Sequence, residues 1–349
     1  MTSIVDSAFE KIVNNTVKFI VFRVNNLKLV PVPENDIGKF YSGDCYLIFD
    51  SRHGADNIFF WIGSESSQDE RAVVAIKAVE LDNLFGGQPT QHREVEGHES
   101  IGFRRMFPGG LVTLQGGHTS GLRRVSMSTE KAGAKLLQVM GGKYPVMREV
   151  SLAWANMNHG DTFVLDTGSI IFIWSGASSS PGEKMTAASL ANRLRDKLGE
   201  EIVHVSDGAE EDLENEELKT WNTYLPLDAK AEVKEASKDS DRRASHVIVS
   251  EISLFKCSDL SGELTVSLTK KGNIEKEDLK EDDSFIVEAG HLGIWIWLGR
   301  RSNENERKGA MNAGLKFIET NKLDENVSIT KVSMGAESED FKSLFAKWS

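Results

Sequence analysis

Cysteine is nearly absent from this 349-residue chain: Cys45 and Cys257, far apart in sequence, are the two it has. A disulfide framework is therefore not expected, and a reducing cytosol is the expected compartment. Long apolar runs are missing as well, and nothing approaches the roughly 20 residues that span a bilayer, so no transmembrane segment is expected. The first fifteen residues, MTSIVDSAFEKIVNN, carry neither a basic stretch nor a sustained apolar one, and no secretory signal is read there. Basic residues are in deficit: 41 Lys and Arg against 53 Asp and Glu leave a net charge of −12, which argues against a nucleic-acid partner and for cations or the basic faces of other proteins. With 40% hydrophobic residues the chain has enough apolar surface to fold, and its length predicts two or three domains.

Motifs for catalysis are also lacking. Gly117-His-Thr-Ser-Gly121 places its Ser wrongly for a nucleophile elbow, and Gly141-Gly-Lys-Tyr144 lacks the hydroxyl residue of a phosphate loop. His92 and His98 sit six apart with no third ligand, and Asp239-Ser-Asp241 has neither the glycine nor the final acid of an EF-hand. No enzyme is expected.

What is present is a repeat. Gly43-Asp44, Gly160-Asp161 and Asp282-Asp283 each introduce a short β-type run, and each run is followed by a second one ending in Trp-x-Gly: Trp61-Ile-Gly63, Trp174-Ser-Gly176 and Trp297-Leu-Gly299. The connectors are short and polar or glycine-containing, which predicts antiparallel strand pairs. A glutamate follows each Trp at nine residues, 61 to 70, 174 to 183 and 297 to 306. A helix is predicted to start at each of Glu70, Glu183 and Glu306, with Val73, Ile76, Glu80 and Leu84 recurring at helical intervals in the first.

The glutamates have two readings. An acid in the first turn suits the helix dipole. Alternatively, a strand start and the helix packed on its sheet bring Asp44 and Glu70, Asp161 and Glu183, and Asp283 and Glu306 to one point. Two carboxylates plus the carbonyl of Gly43, Gly160 or Asp282 would then form part of an oxygen cage for a hard cation such as calcium. Threefold recurrence at fixed spacing favours the metal.

Boundaries follow from the repeat: residues 1–121, 122–228 and 246–349 are the three units, joined by 229–245, a charged stretch with almost no large apolar residue that reads as a flexible linker.

Three sets of residues carry a resemblance. They are Glu65-Ser-Ser-Gln-Asp-Glu70 with Leu81-Asp82, Gln91 to Glu99 and Gly116 to Gly121; Asn158-His-Gly-Asp161 with Val203-His-Val-Ser206; and Asp283 to Val287 with Glu306-Arg-Lys308 and Phe341 to Trp348. From about Val17 onward the chain resembles the gelsolin superfamily, in its three-repeat group of severin, fragmin and the macrophage capping protein. The fold this implies is α+β: three tandem gelsolin-like domains, each a mixed central β-sheet between a long and a short helix. The function it implies is calcium-dependent binding of actin, severing filaments and capping barbed ends. Capping without severing, or a calcium-responsive scaffold without actin remodelling, are the alternatives.

By the same resemblance, the calcium site of the first repeat would be the Gly43 carbonyl, Asp44, Glu70 and the His118 carbonyl. A second calcium, shared with an acid of actin, would use Asp82 and the carbonyls of Gly87 and Pro89. The second repeat would take a further acid from the linker, Asp239 or Asp241, and the third offers Glu337 as an extra ligand. The long helix from Glu70 to Phe85 would enter the cleft of an actin subunit through Ile76, Glu80, Asp82 and Asn83, while Lys135, Lys143 and Arg148 would hold the filament side. The stretch from Pro108 to Gly117 contains no Lys or Arg where relatives place several for phosphoinositide headgroups, which weakens the expectation of that lipid as a partner. A cytoplasmic, cytoskeletal monomer is expected.

Overall fold

The structure, a computed structural model, describes residues 6–117, 133–141, 144–198, 201–235, 252–258, 265–302 and 304–348. Each repeat builds the same sequence of elements. A first strand pairs antiparallel with the strand that follows the Asp, and that strand pairs antiparallel with the Trp strand. A long helix then returns the chain to a strand parallel to the Trp strand. In repeat 1 these are β1 (Phe19–Asn25), β4 (Cys45–Asp50), β5 (Asn57–Ile62), α2 (Gln68–Leu84) and β6 (Thr90–Val95). In repeat 2 they are β8 (Lys135–Met140), β10 (Thr162–Asp166), β11 (Ile170–Ser175), α4 (Pro181–Leu198) and β12 (Glu201–Ser206). In repeat 3 they are β13 (Ser253–Ser258), β15 (Ser284–Glu288), β16 (Ile294–Leu298), α6 (Glu304–Asn321) and β17 (Ile329–Ser333). Mixed sheets thus arise in every repeat, because the tight turns demand antiparallel pairs and the helical crossover demands a parallel one.

The long helices cover one face of the sheets and short helices the other. Val74, Ala78 and Leu81 of α2 join Phe317 and Ile318 of α6 in one apolar cluster with Leu47, Phe60 and Ile296 from the strands. A shorter α1 (Glu10–Val13) adds Ile12 to this cluster. In repeat 2, Ala187, Leu190 and Ala191 of α4 pack on Val164 and Ile173. The opposite faces carry α3 (Ile101–Arg105) in repeat 1, α5 (Asn215–Tyr224) in repeat 2 and α7 (Glu339–Lys342) in repeat 3; Trp221 packs with Trp154 and Trp174, and Phe341 with Phe345 and Trp297.

Two differences from the expected domain layout stand out. Repeats 1 and 3 are not separate sheets. Strand β17 pairs antiparallel with β6, so that together with β2 (Lys28–Pro31) and β14 (Thr265–Lys271) they make one ten-stranded sheet within a compact unit of residues 1–37, 43–103 and 249–349. The second compact unit, 38–42 and 104–248, holds a seven-stranded sheet in which β3 (Lys39–Tyr41) and β7 (Leu111–Leu114), expected in the first repeat, line up beside β9 (Val146–Val150). Strands of three and four residues cannot stand alone; the edge of β9 supplies the hydrogen-bond partners of β7, and β7 supplies those of β3.

The linker makes ordered contacts over its described residues. Lys230 places its ammonium 2.9 Å from Asp207 and 2.6 Å from Glu210, and the Lys234 N–H donates to Met157 O. Residues 229–235 are therefore anchored on repeat 2, because two partly buried carboxylates there require a cation. The remaining linker residues, Asp239 and Asp241 among them, lie outside the described residues.

Candidate functional site

One hydrogen-bond pattern recurs at the start of every long helix. The glycine of Trp-x-Gly donates its N–H to the carbonyl of the repeat's Asp, each time at 3.1 Å: Gly63 to Asp44, Gly176 to Asp161 and Gly299 to Asp283. The serine three residues on turns its hydroxyl back to that glycine's carbonyl, at 2.6 Å for Ser66 and 2.7 Å for Ser179 and Ser302. A Cβ at Gly176 would lie 2.5 Å from His159 O, and one at Gly299 2.4 Å from Glu281 O, so side chains are excluded where these loops cross. The Asp and the helix entrance are thereby tied together in all three repeats.

A second recurring pair escaped the sequence reading. The indole N–H of each Trp donates to a glutamate, Trp61 to Glu99 at 3.0 Å, Trp174 to Glu210 at 2.6 Å and Trp297 to Glu337 at 2.8 Å. The signal was present as Gly97-x-Glu99, Gly208-x-Glu210 and Gly335-x-Glu337, since the glycine N–H donates to the same carboxylate. Glu337, expected as an extra metal ligand, is the acid of this pair in repeat 3.

The helices begin two residues earlier than predicted, which puts each glutamate third in its helix. Glu70 there completes a capping box with Ser67, and Glu183 accepts from the Ser180 N–H at 2.9 Å. Both readings of these acids therefore meet at one position. The apolar stripe also shifts: Val74, Ala78 and Leu81 face the core, whereas Ile76 is 57% exposed.

In repeat 2, Asp161 and Glu183 are buried, at 1% and 2% exposure. Burial raises the Glu183 carboxyl above its ordinary range, and the charge of Asp161 adds to the rise. Amide N–H groups point at both acids: Gln138 and Asn158 donate to Asp161 at 2.6 Å, and Gly141 donates to Glu183 at 3.0 Å. Two desolvated carboxylates that repel each other, beside the buried Gly160, are an all-oxygen donor set with surplus negative charge. That set fits a hard cation, with carbonyls or water completing the shell.

In repeat 1, Asp44 is buried and accepts from Tyr46 Oη at 3.5 Å; Gly43 is half-buried. Burial, with a smaller push from the Glu70 charge, drives the Cys45 thiol up to about 11, so Glu70 acts on the residue next to Asp44. In repeat 3 the setting differs. Asp283 accepts from Lys256 Nζ at 2.8 Å, and the exposed Asp282 is paired with Arg301 at 2.8 Å. Glu306 falls in the first turn of α6, with its side chain outside the described residues, as are His118, Lys143 and Asp241. Among the described residues no three His, Cys, Asp or Glu side chains cluster as a metal site, so each described donor set is a pair of acids or less.

Asp82 is buried at the end of α2, and Lys331 of β17 places its ammonium 2.8 Å from Asp82 Oδ2, while Asp82 Oδ1 is buried without a hydrogen-bond partner. Ser333 of the same strand reaches the Gly87 carbonyl at 3.4 Å, and Pro89 is buried. Two groups expected to serve a second cation are thus engaged by repeat 3. On the outer side of α2, Ile76, Glu80 and Asn83 are exposed at spacings of four and three residues, which is one helical face. Arg148 is exposed on β9, and Lys135, about half exposed on β8, lies 4.0 Å from Glu149.

Comparison with known proteins agrees with this architecture. The gelsolin repeat model matches residues 26–104, 143–212 and 266–342. Macrophage-capping protein of Homo sapiens is 35% identical over 94% of this chain and 93% of its own length. Actin depolymerising venom protein gelsolin 1 of Platymeris rhadamanthus is 32% identical over 94% of this chain and 88% of its own. Advillin of Mus musculus is 34% identical over 98% of this chain, which spans 42% of advillin. Three matched repeats, each built from the same strand pair, crossover helix and acid-bearing loop, show that the chain belongs to the gelsolin family.

Proposed function

We propose that this chain is a calcium-regulated actin-binding protein that severs filaments and caps their barbed ends. The observation that carries the reading is the face of α2: Ile76 stands 57% exposed between Glu80, Asn83 and the helix start, while the core takes the opposite side. An exposed aliphatic flanked on one helical face by polar Glu80 and Asn83 is the pattern of a small binding hot spot. Relatives of similar length whose names refer to actin depolymerisation and to capping support the choice of partner.

Calcium would be held by Asp161 and Glu183 in repeat 2 and by Asp44 and Glu70 in repeat 1, where it would supply positive charge to acids that burial otherwise destabilises. Control would act through an equilibrium between the arrangement with β17 joined to β6 and an open one in which Asp82 and Gly87 are released. A ligand moves such an equilibrium only by its differential affinity for the two states. Lys135 and Arg148 would hold the filament side during severing; the basic strip suits an acidic partner.

Single-filament fluorescence microscopy tests the reading, with labelled actin filaments exposed to the protein in chelator and then at micromolar calcium. Breaks along filaments followed by arrested barbed-end growth are expected, and Ile76→Asp is expected to abolish both. Arrested growth without breaks would reassign the protein to capping alone. No effect at either calcium level would leave the scaffold reading.

A further inference from the structure

Lys77, the residue after Ile76 on α2, sits between two acids. Its ammonium lies 2.7 Å from Asp6 Oδ2 and 2.7 Å from Glu80 Oε2, and its side chain is 20% exposed against 47% for Glu80. Asp6 comes from the start of the chain, and both of its carboxylate oxygens are engaged: Oδ1 accepts from the Ala8 N–H at 3.0 Å and Oδ2 from Lys77. The turn that follows it, Ser7–Phe9, is anchored in the core. Phe9 is buried edge-on to Phe22 with ring centroids 6.4 Å apart, and Ile12 of α1 is buried in the same cluster. The ionisation of the pair agrees with this geometry. Against the opposing effect of burial, Lys77 and the Ala8 N–H hold the Asp6 carboxyl below its ordinary range, and Asp6 and Glu80 hold the Lys77 ammonium above its own.

We propose that Asp6 and Lys77 are positioning residues of the actin-binding face: the anchored N-terminal turn fixes Asp6, Asp6 fixes Lys77, and Lys77 presents the Glu80 carboxylate in one place beside Ile76. The proposal rests on the actin reading of α2 above. An exposed pair three residues apart on a helix imposes little order by itself, because two long side chains lose rotamer freedom for one interaction in high dielectric. Asp6 changes that, since it holds Lys77 from a second direction with a group tied to the core. Two acids share one ammonium, so the network keeps a net negative charge and Glu80 remains a strong acceptor for a donor or cation of the partner. A carboxylate already in place loses less rotamer freedom on binding than a free glutamate does. Ile76 and Glu80 lie one helical turn apart, so the fixed acceptor and the exposed aliphatic are offered together.

The experiment measures the affinity of the full chain for fluorescently labelled monomeric actin in micromolar calcium, as a double-substitution cycle. Asp6→Asn, which keeps an acceptor for the Ala8 N–H and removes the charge, is expected to weaken binding by about three- to tenfold, and Lys77→Met by a similar factor. Lys77→Arg, which keeps the charge between the two acids, is expected to retain most of the affinity. In a chain carrying Glu80→Gln, Asp6→Asn is expected to cause no further loss, because Asp6 acts through Glu80. Thermal melting checks that each variant folds. Loss by the same factor with and without Glu80→Gln would mean that Asp6 only supports the fold, and would overturn this inference. Unaltered affinity in both Asp6→Asn and Lys77→Met, with Ile76→Asp still abolishing binding, would overturn it and spare the actin reading. Failure of the unaltered chain to bind actin would overturn both.

Discussion

At the scale of single residues, the helix entrances concentrate the chemistry. A Cβ at Gly176 would lie 2.5 Å from His159 O and 2.8 Å from Asp161 O. Gly176→Ala must push backbone against backbone, and a loss of roughly 2–3 kcal/mol in urea unfolding is expected. Glu183 offers a sharper test, because its capping role and its proposed metal role pull apart on substitution. Its carboxyl is raised by burial and by Asp161, so the folded state holds its proton more tightly than the unfolded chain does. That contribution is present at acid pH and is lost as pH rises through the raised value, leaving a strained charge at neutrality. Glu183→Gln removes the charge and keeps an acceptor for Ser180 or Gly141. Thermal denaturation in chelator should therefore change by less than about 1 kcal/mol, while the stabilisation produced by added calcium should fall. An undiminished calcium effect would remove Glu183 from the cation site.

At the scale of elements, β17 decides what α2 can do. It brings Lys331, 0% exposed, onto Asp82, and burial lowers the Lys331 ammonium against the pull of Asp82. A buried pair is a weak source of net stability, but removing one partner strands the other. Lys331→Met is expected to destabilise the first compact unit by about 3–5 kcal/mol, whereas Asp82→Asn with Lys331→Met should recover most of the loss. Hydrogen exchange at β6 and β17 measures both, and similar protection in the single and double variants would mean that the pair does not hold the seam. The aliphatic stripe of α2 illustrates why such control has something to act on. Ile76 and Leu84, 57% and 37% exposed, lie off the face taken by Val74, Ala78 and Leu81, so the helix has apolar surface that its own fold does not use.

At the scale of the whole molecule, repeats 1 and 3 form one compact unit and repeat 2 another. His92 sits on the seam of the first unit, stacked on Phe59 with ring centroids 4.0 Å apart, with Asn57 Oδ1 and Thr330 Oγ1 at its two nitrogens. Burial pushes the imidazole down to about 3, so the joined state holds it neutral. A chain with the seam open protonates it near the ordinary 6.5, and stability present above that value drains away as pH falls toward 3. By pH 5 the loss is expected to reach no more than about 2 kcal/mol, given partial solvent access. Hydrogen exchange followed from pH 7 to pH 5, after correction for the intrinsic rate, should show β6 and β17 losing protection before β8 and β10. Equal behaviour of the two sheets would refute a role for His92.

Much of this was legible in the chain alone, and for a common reason. The Asp-led strand, the Trp strand nine residues before its glutamate and the helix that follows are local arrangements, set by short-range periodicity, turn chemistry and the identity of neighbours. Three copies made them readable, and the pairing of Asp161 with Glu183 followed. Tertiary structure alone decided the rest. That β17 pairs with β6, that Lys331 meets Asp82 across 249 residues, and that β3 and β7 extend the sheet of repeat 2 depend on which open edges find each other. Strand edges look alike in sequence, because backbone hydrogen bonds carry no side-chain code, and only packing in three dimensions selects among them.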